Sequence, residues 1–240
     1  MADIKELIRE LAIANRILAA ENVVDAFGHV SVRHPEDPNR YFLSRSRAPQ
    51  LVEPGDIMEF TLKGEPLDQK GRAIYAERAI HGAMYEARPD VMSVVHNHSF
   101  DVIPFGVAGV AIRPLLHTAS RLGPEIPLWD IAAKFGDATN LLVTTMEQGH
   151  DLAAAVGKRV AALMRGHGCV VVGRSIRDAV ISAIYLQVNA RLQADAMRLG
   201  GSIKFLSQGE IDAFTGRRIG DFEGGRAWEY FVARAGVETL

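Results

Sequence analysis

The chain has 240 residues, 48% of them hydrophobic and 23% charged, which suits one compact domain and leaves little room for a second. Its 27 basic and 29 acidic residues give a formal charge of -2, so the chain carries no electrostatic footprint for nucleic acid or an anionic membrane. The longest apolar run, Phe105 to Ile112, falls far short of the ~20 residues of a membrane span, and the amino terminus shows no basic-then-apolar secretion signal.

Apolar residues at Ile4, Leu7, Ile8, Leu11, Ala12, Ile17 and Leu18 recur at helical spacing and predict an amphipathic helix over residues 3–21. Short β-rich stretches follow at Val30–Val32, Tyr41–Leu43 and Ile57–Phe60, each bounded by Pro, Gly, Asn or Asp, and predict antiparallel sheet. A helical pattern runs from Tyr75 to Arg88, where Pro89 ends it, and a strand is expected from Val91 to His98. Thr145 and Gln148 form a capping box for a helix reaching about Met164 and ended by Gly166 and Gly168. Val170–Val172 reads as a buried strand beginning at Cys169. That lone cysteine, best explained by packing, fits a reducing compartment, so the expected location is the cytoplasm. Ser175 starts the longest helix, closed by Gly200 and Gly201, and Ser207 with Glu210 caps a short final helix. With no repeat or linker, the expected fold is one α+β domain over residues 1–240, a mostly antiparallel sheet flanked by helices.

Two histidines stand at i and i+2 in His96-Asn97-His98. On a strand they share a face about 6.5–7 Å apart, close enough to share one ion. A solvated or core-satisfied pair is the competing reading. His167 lies between Gly166 and Gly168, where the backbone turns sharply just before a buried strand, an odd place for a packing histidine. Glu77 opens the helix that leads into the His96 strand, either as a dipole-favoured carboxylate or as a catalytic one. Three imidazoles and one carboxylate make a first shell for a divalent ion with positions left for substrate.

The ordered set Gly28-His29-Val30-Ser31-Val32-Arg33, Glu77, His96-Asn97-His98 and Arg165-Gly166-His167-Gly168 resembles the class II aldolase and adducin head family, over about Ile4 to Gly200. The resemblance implies an α/β/α sandwich and a homotetramer with active sites at subunit interfaces. It also implies one divalent metal ion per chain held by His96, His98 and His167, with Glu77 moving the proton at the reacting carbon. Imidazole ligands suit zinc, manganese, iron or cobalt about equally well, and Mn2+ or Zn2+ is the expectation. The tail at 207–240, with Trp228, Tyr230 and Phe231, is expected to pack at a subunit interface and to cover a neighbouring site.

Several positions depart from the sugar-phosphate aldolases of that family. A Ser-Ser pair before the glutamate becomes Tyr75-Ala76, a Gly-Asn turn becomes Gly28-His29, and a Thr-Pro-Thr-Gly-like loop becomes Ser44-Arg45-Ser46-Arg47. No tyrosine stands near Ile126-Pro127-Leu128-Trp129 to serve as the acid. With the phosphate cradle gone, Arg47 is expected to fork onto a substrate carboxylate and Tyr75 to stack on a ring, with Ser46 as a further substrate contact. His29 either touches substrate or caps a loop, and His117 either reaches the site or is a buried, hydrogen-bonded histidine. This pattern resembles the branch that decarboxylates hydroxylated aromatic or pyridine carboxylic acids, such as 3-hydroxy-2-methylpyridine-4,5-dicarboxylate from vitamin B6 breakdown. A class II aldolase acting on a hydroxy-carbonyl substrate and a non-catalytic module like the adducin head are the alternatives. Arg33 reads as a surface charge, and His81 either orients Glu77 or lies on a solvated helix face. His34 and His150 carry no assignment.

Overall fold

A computed structural model describes residues 3–215 and 225–240. Helix α1 (Ile4–Ala20) starts at Asp3, whose carboxylate accepts the Lys5 N–H, and buries Leu11, Ala12, Ile17 and Leu18 on one stripe. Strands β1 (His29–Arg33), β2 (Arg40–Ser44) and β3 (Ile57–Thr61) form an antiparallel meander, as their alternation predicts. Helix α2 (Arg78–Ala87) leads into β4 (Ser93–Asn97), then come α3 (Ile103–Ala108), β5 (Leu128–Trp129) and α4 (Ala132–Phe135). Helix α5 (Met146–Val156), β6 (Ala161–Met164), β7 (Gly168–Gly173), α6 (Ile176–Arg198), α7 (Gln208–Thr215) and α8 (Arg226–Ala235) complete the chain.

The strands join in one seven-stranded sheet of order β3-β2-β1-β4-β7-β6-β5. Every pair is antiparallel except β5 with β6, so the sheet is mixed. Alternation along each strand divides the core in two. Val30, Val95 and Val171 point to one face with Leu18, Ile184 and Trp228, whereas Val94, Val170 and Val172 point to the other with Ile80, Met84 and Leu152. Helices α1, α6 and α8 thus cover one face and α2 and α5 the other, an α/β/α sandwich. Each such apolar side chain contributes about 1.5–3 kcal/mol when buried.

Several expectations need correction. The pattern from Thr145 to Met164 is not one helix: the capping box holds, but α5 stops at Gly157, whose φ is +55, and residues Ala161–Met164 pair with β7 instead. Ala-Ala-Leu-Met suits helix and strand alike, and the open edge of β7 decides. Helix α2 begins only at Arg78, so Glu77 is its N-cap residue and Tyr75 belongs to the lead-in. Helix α7 has its predicted Ser207–Glu210 box but is not the last helix. Helix α8 follows it, burying Trp228 and Phe231 in the chain's own core while Tyr230 stays exposed. Residues 216–224 of the expected tail lie outside the described residues.

Arg33 is buried, not a surface charge. Its guanidinium donates to the carbonyls of Val91, Pro38, Tyr85 and Arg88, tying the end of α2 to the sheet, and it lies 4.8 Å from the Tyr85 ring centroid. Among the described residues no helix is long and apolar enough to cross a membrane.

Candidate active site

The site forms where β1, β4 and the β6–β7 turn meet the start of α2. Antiparallel pairing sets His29 opposite His96. Alternation turns both toward the α2 layer, and His98 follows immediately after β4. His167 occupies the turn before β7. Gly166 there has φ +64, and a Cβ on Gly168 would sit 2.0 Å from the Asn97 carbonyl oxygen, so only glycine lets β7 run this close to β4.

Glu77, His96, His98 and His167 each offer one ligand atom, and these atoms all lie within 4.8 Å of one another. His98 Nε2 is 3.1 Å from both His96 Nε2 and His167 Nε2, and Glu77 Oε2 is 3.5 Å from both of those atoms. The opposite ring nitrogens all face acceptors. His96 Nδ1 meets the Cys169 carbonyl at 3.2 Å, His98 Nδ1 the Asp25 carboxylate at 3.1 Å, and His167 Nδ1 the Leu141 carbonyl at 2.9 Å. Acceptors at Nδ1 hold the proton there, so three Nε2 lone pairs converge beside a carboxylate. Lone pairs this close repel unless a cation lies among them, and outer acceptors on ligating histidines are the usual orienting shell. The donor set therefore fits a divalent metal ion.

Burial works against charge on Glu77, but His167 and His96, when they carry protons on Nε2, more than offset it and hold the carboxyl well below the usual range. With those lone pairs turned inward, a cation among them would favour the carboxylate in their place. Its Oε1 also accepts the Val143 N–H at 2.9 Å. Burial lowers His98, with His96 adding to the effect and Asp25 opposing it. Burial and the neighbouring His81 and His96 keep His29 neutral far below the ordinary histidine range. His81, fully buried and beside His96, is lowered to about 3.

A cavity of about 550 Å³ opens onto this cluster, lined among others by Phe27, His29, Ser46, Tyr75, Asn140 and Leu142. His29, Ser46 and Tyr75 are thus brought to the cavity. The Tyr75 ring lies 4.5 Å from that of His29, and its hydroxyl is committed to Ser44 and the Arg47 carbonyl, so it offers the cavity a ring rather than a free hydroxyl. Arg47 is not in the lining. Its guanidinium and that of Arg45 each meet buried Asp56 at 2.6 Å, a carboxylate that needs both to offset its desolvation. His117 is also elsewhere, exposed and packed on Phe214 at 5.6 Å. His81 is on no solvated face and does not touch Glu77; it bonds His29 and Ser31.

Asp25, Leu141 and Val143 position the cluster without having stood out in the sequence. Asp25 accepts the Phe27 and Gly28 N–H groups and so reads as a turn residue, and the other two act through their backbone. Leu141 has φ +67, a costly conformation for leucine, just where its carbonyl orients His167.

Residues 9–194 match the Class II Aldolase and Adducin N-terminal domain. The chain belongs to this family. It is 37% identical over 207 residues to decarboxylase tropJ of Talaromyces stipitatus, covering 81% of this chain and 78% of that one. It is 31% identical to the 3,4-dihydroxyphthalate decarboxylase of a Terrabacter species, covering 94% and 95%. In fold, the aldolase II superfamily protein of Pseudomonas syringae matches with TM-score 0.80 at 19% identity, over 98% of this chain and 94% of that one. Both of these sequence relatives of this class II aldolase family member are decarboxylases, lyases that break a carbon–carbon bond.

Proposed function

We propose that the chain is a metal-dependent lyase that decarboxylates a hydroxylated aromatic or pyridine dicarboxylic acid. The observation that carries this reading is the convergence of His96, His98, His167 and Glu77 on one point at the floor of a cavity walled by Tyr75 and His29. Likeness to a 3,4-dihydroxyphthalate decarboxylase supports an acid of that type.

His96, His98 and His167 would hold a divalent ion, Mn2+ or Zn2+, by Nε2. Bound there, the ion supplies a Lewis acid for the negative charge that develops on a substrate oxygen as the carbon–carbon bond breaks. Tyr75 and His29 orient a planar ring against the cavity wall. Glu77 is held ionised, so it begins as a base. It takes the proton of the substrate hydroxyl and returns it to the ring carbon once carbon dioxide has left, with Val143 N–H keeping the carboxylate in place. Departure of carbon dioxide leaves the bonding pair on carbon, and the returned proton completes the new C–H bond.

A homotetramer belongs to the same reading. Phe27 stands 70% exposed at the cavity rim, which supports a wall completed by a neighbouring subunit. Sedimentation of an active monomer would contradict that part.

The test of substrate class is a panel of 3,4-dihydroxyphthalate and 3-hydroxy-2-methylpyridine-4,5-dicarboxylate beside fuculose 1-phosphate and ribulose 5-phosphate. Carbon dioxide release from an acid is expected. Cleavage of the sugar phosphates with the acids untouched would instead favour aldol chemistry, and no turnover with no metal bound would favour a non-catalytic module.

A further inference from the structure

We propose that His29 presents a neutral Nε2–H donor to the substrate, and that a buried chain of His81, Ser31 and Tyr85 fixes it in that tautomer. This rests on the reading of the cavity as a substrate site and adds a demand on the ligand. The group facing His29 must be a hydrogen-bond acceptor, a carboxylate or phenolate oxygen.

The chain is continuous. His29 Nδ1 lies 2.7 Å from His81 Nε2, His81 Nδ1 lies 2.6 Å from Ser31 Oγ, and Ser31 Oγ lies 2.7 Å from the Tyr85 hydroxyl. Alternation places His29 and Ser31 on one face of β1, and the i,i+4 spacing places His81 and Tyr85 on one stripe of α2. All four are at most 2% exposed.

With neutral rings, the protons of such a chain run in one of two directions. In the first, Tyr85 donates to Ser31, Ser31 to His81 Nδ1, and His81 Nε2–H to His29 Nδ1, which leaves the His29 proton on Nε2. In the second, His29 Nδ1–H donates to His81, His81 to Ser31 and Ser31 to Tyr85. The second direction strands the Tyr85 proton, and its variant in which Tyr85 also donates to Ser31 strands the Ser31 proton instead, because neither hydroxyl has a further acceptor within hydrogen-bonding distance among the described residues. A buried donor without an acceptor is the costlier arrangement, so the first direction holds. His29 Nε2 has no partner among the described residues, and the ring lines the cavity.

The outcome is opposite to that at the cluster. Acceptors at Nδ1 turn lone pairs inward on His96, His98 and His167, whereas a donor at Nδ1 turns an N–H inward on His29. The rings of His29 and His96 lie only 5.2 Å apart, so an oxygen on one ligand can meet the donor beside the lone pairs. An uncharged donor there adds no repulsion toward a bound cation.

The test is long-range proton–nitrogen NMR on histidine-labelled full-length protein prepared without metal, with the His29 signals assigned by their loss in His29→Gln. The Nε2–H tautomer is expected for His29, and Ser31→Ala, which removes the donor to His81 Nδ1, is expected to turn it into a mixture. An Nδ1–H tautomer in the parent protein, or an unchanged pure Nε2–H tautomer in folded Ser31→Ala, would overturn the proposal. With 3,4-dihydroxyphthalate as substrate, His29→Leu should raise KM by about 10- to 100-fold at unchanged metal content, the scale of a hydrogen bond to a charged group. An unchanged KM would remove the donor role. Failure of the acid panel with the Nε2–H tautomer intact would strike the lyase reading and not this one.

Discussion

Asp25, in the loop before β1, meets His98 just past the end of β4, the carboxylate oxygens lying 3.1 and 3.2 Å from Nδ1. The aspartate fixes which nitrogen of His98 carries the proton and so turns the Nε2 lone pair toward His96 and His167. Backbone N–H groups of Phe27 and Gly28 hold Asp25 itself in place. Replacing Asp25 by Ala should therefore weaken metal binding by about 10- to 100-fold without unfolding the domain. Calorimetric titration with Zn2+ or Mn2+ checks this, and unchanged affinity would show that His98 is oriented by packing alone.

Glu77 is the one carboxylate among the four clustered residues. Glu77→Gln should keep the fold and the metal but lower kcat by on the order of a hundredfold or more, the usual loss when a general acid–base group is removed. Steady-state kinetics with metal analysis of the same sample separates the outcomes. Near-normal turnover assigns proton transfer elsewhere, and loss of metal makes Glu77 a ligand.

Arg33 satisfies four carbonyl oxygens with one guanidinium. Arg33→Met fills similar space yet strands those acceptors, and should cost about 3 kcal/mol or more in urea unfolding while leaving KM unchanged. A cost within about 0.5 kcal/mol would mean that water reaches these carbonyls.

Acid should destabilise the metal-free fold in a defined window. His81 is lowered by burial and by His96 from an ordinary 6.5 to about 3, and His29 is lowered in the same direction. Below 6.5 the unfolded chain binds protons that the folded one refuses, so the stability these groups confer is complete above that pH and drains away as pH falls, the His81 share being lost by about pH 3. Each group contributes a slope of about 1.4 kcal/mol per pH unit within the window. Glu77, with its folded pKa depressed, adds loss in the same direction below its ordinary value of 4.5. Urea unfolding of chelator-treated protein should show the midpoint falling from about pH 6.5 downward, with a shallower slope in His81→Phe. A midpoint independent of pH would mean that these histidines charge freely in the fold.

Much of this architecture was legible in periodicity and punctuation. The meander, the His96 strand and helix α6 follow from alternation, from Pro89 and from the Gly200 stop, while His96 and His98 stood out by their i, i+2 spacing, His167 by its flanking glycines and Glu77 by completing the ordered set. What stayed hidden is tertiary. Residues Ala161–Met164 carry no strand signature beyond apolarity, and pairing with β7 settles them. Arg47 reads as free until Asp56, nine positions away, is seen to hold it. His81 and Arg33 look solvated in a sequence because nothing local announces the carbonyls and hydroxyls that burial brings to them. The loop around Leu141 carries its role in backbone groups, which side-chain patterns do not encode.

The central claim is that the cluster of His96, His98, His167 and Glu77 drives decarboxylation by means of a bound divalent ion. Carbon dioxide release from 3,4-dihydroxyphthalate should be measured on chelator-treated protein before and after Mn2+ or Zn2+ is restored, with His98→Ala as the control. No release before, recovery after and none at any metal concentration in the variant is the predicted result. Undiminished release from the chelated, metal-free protein would contradict it.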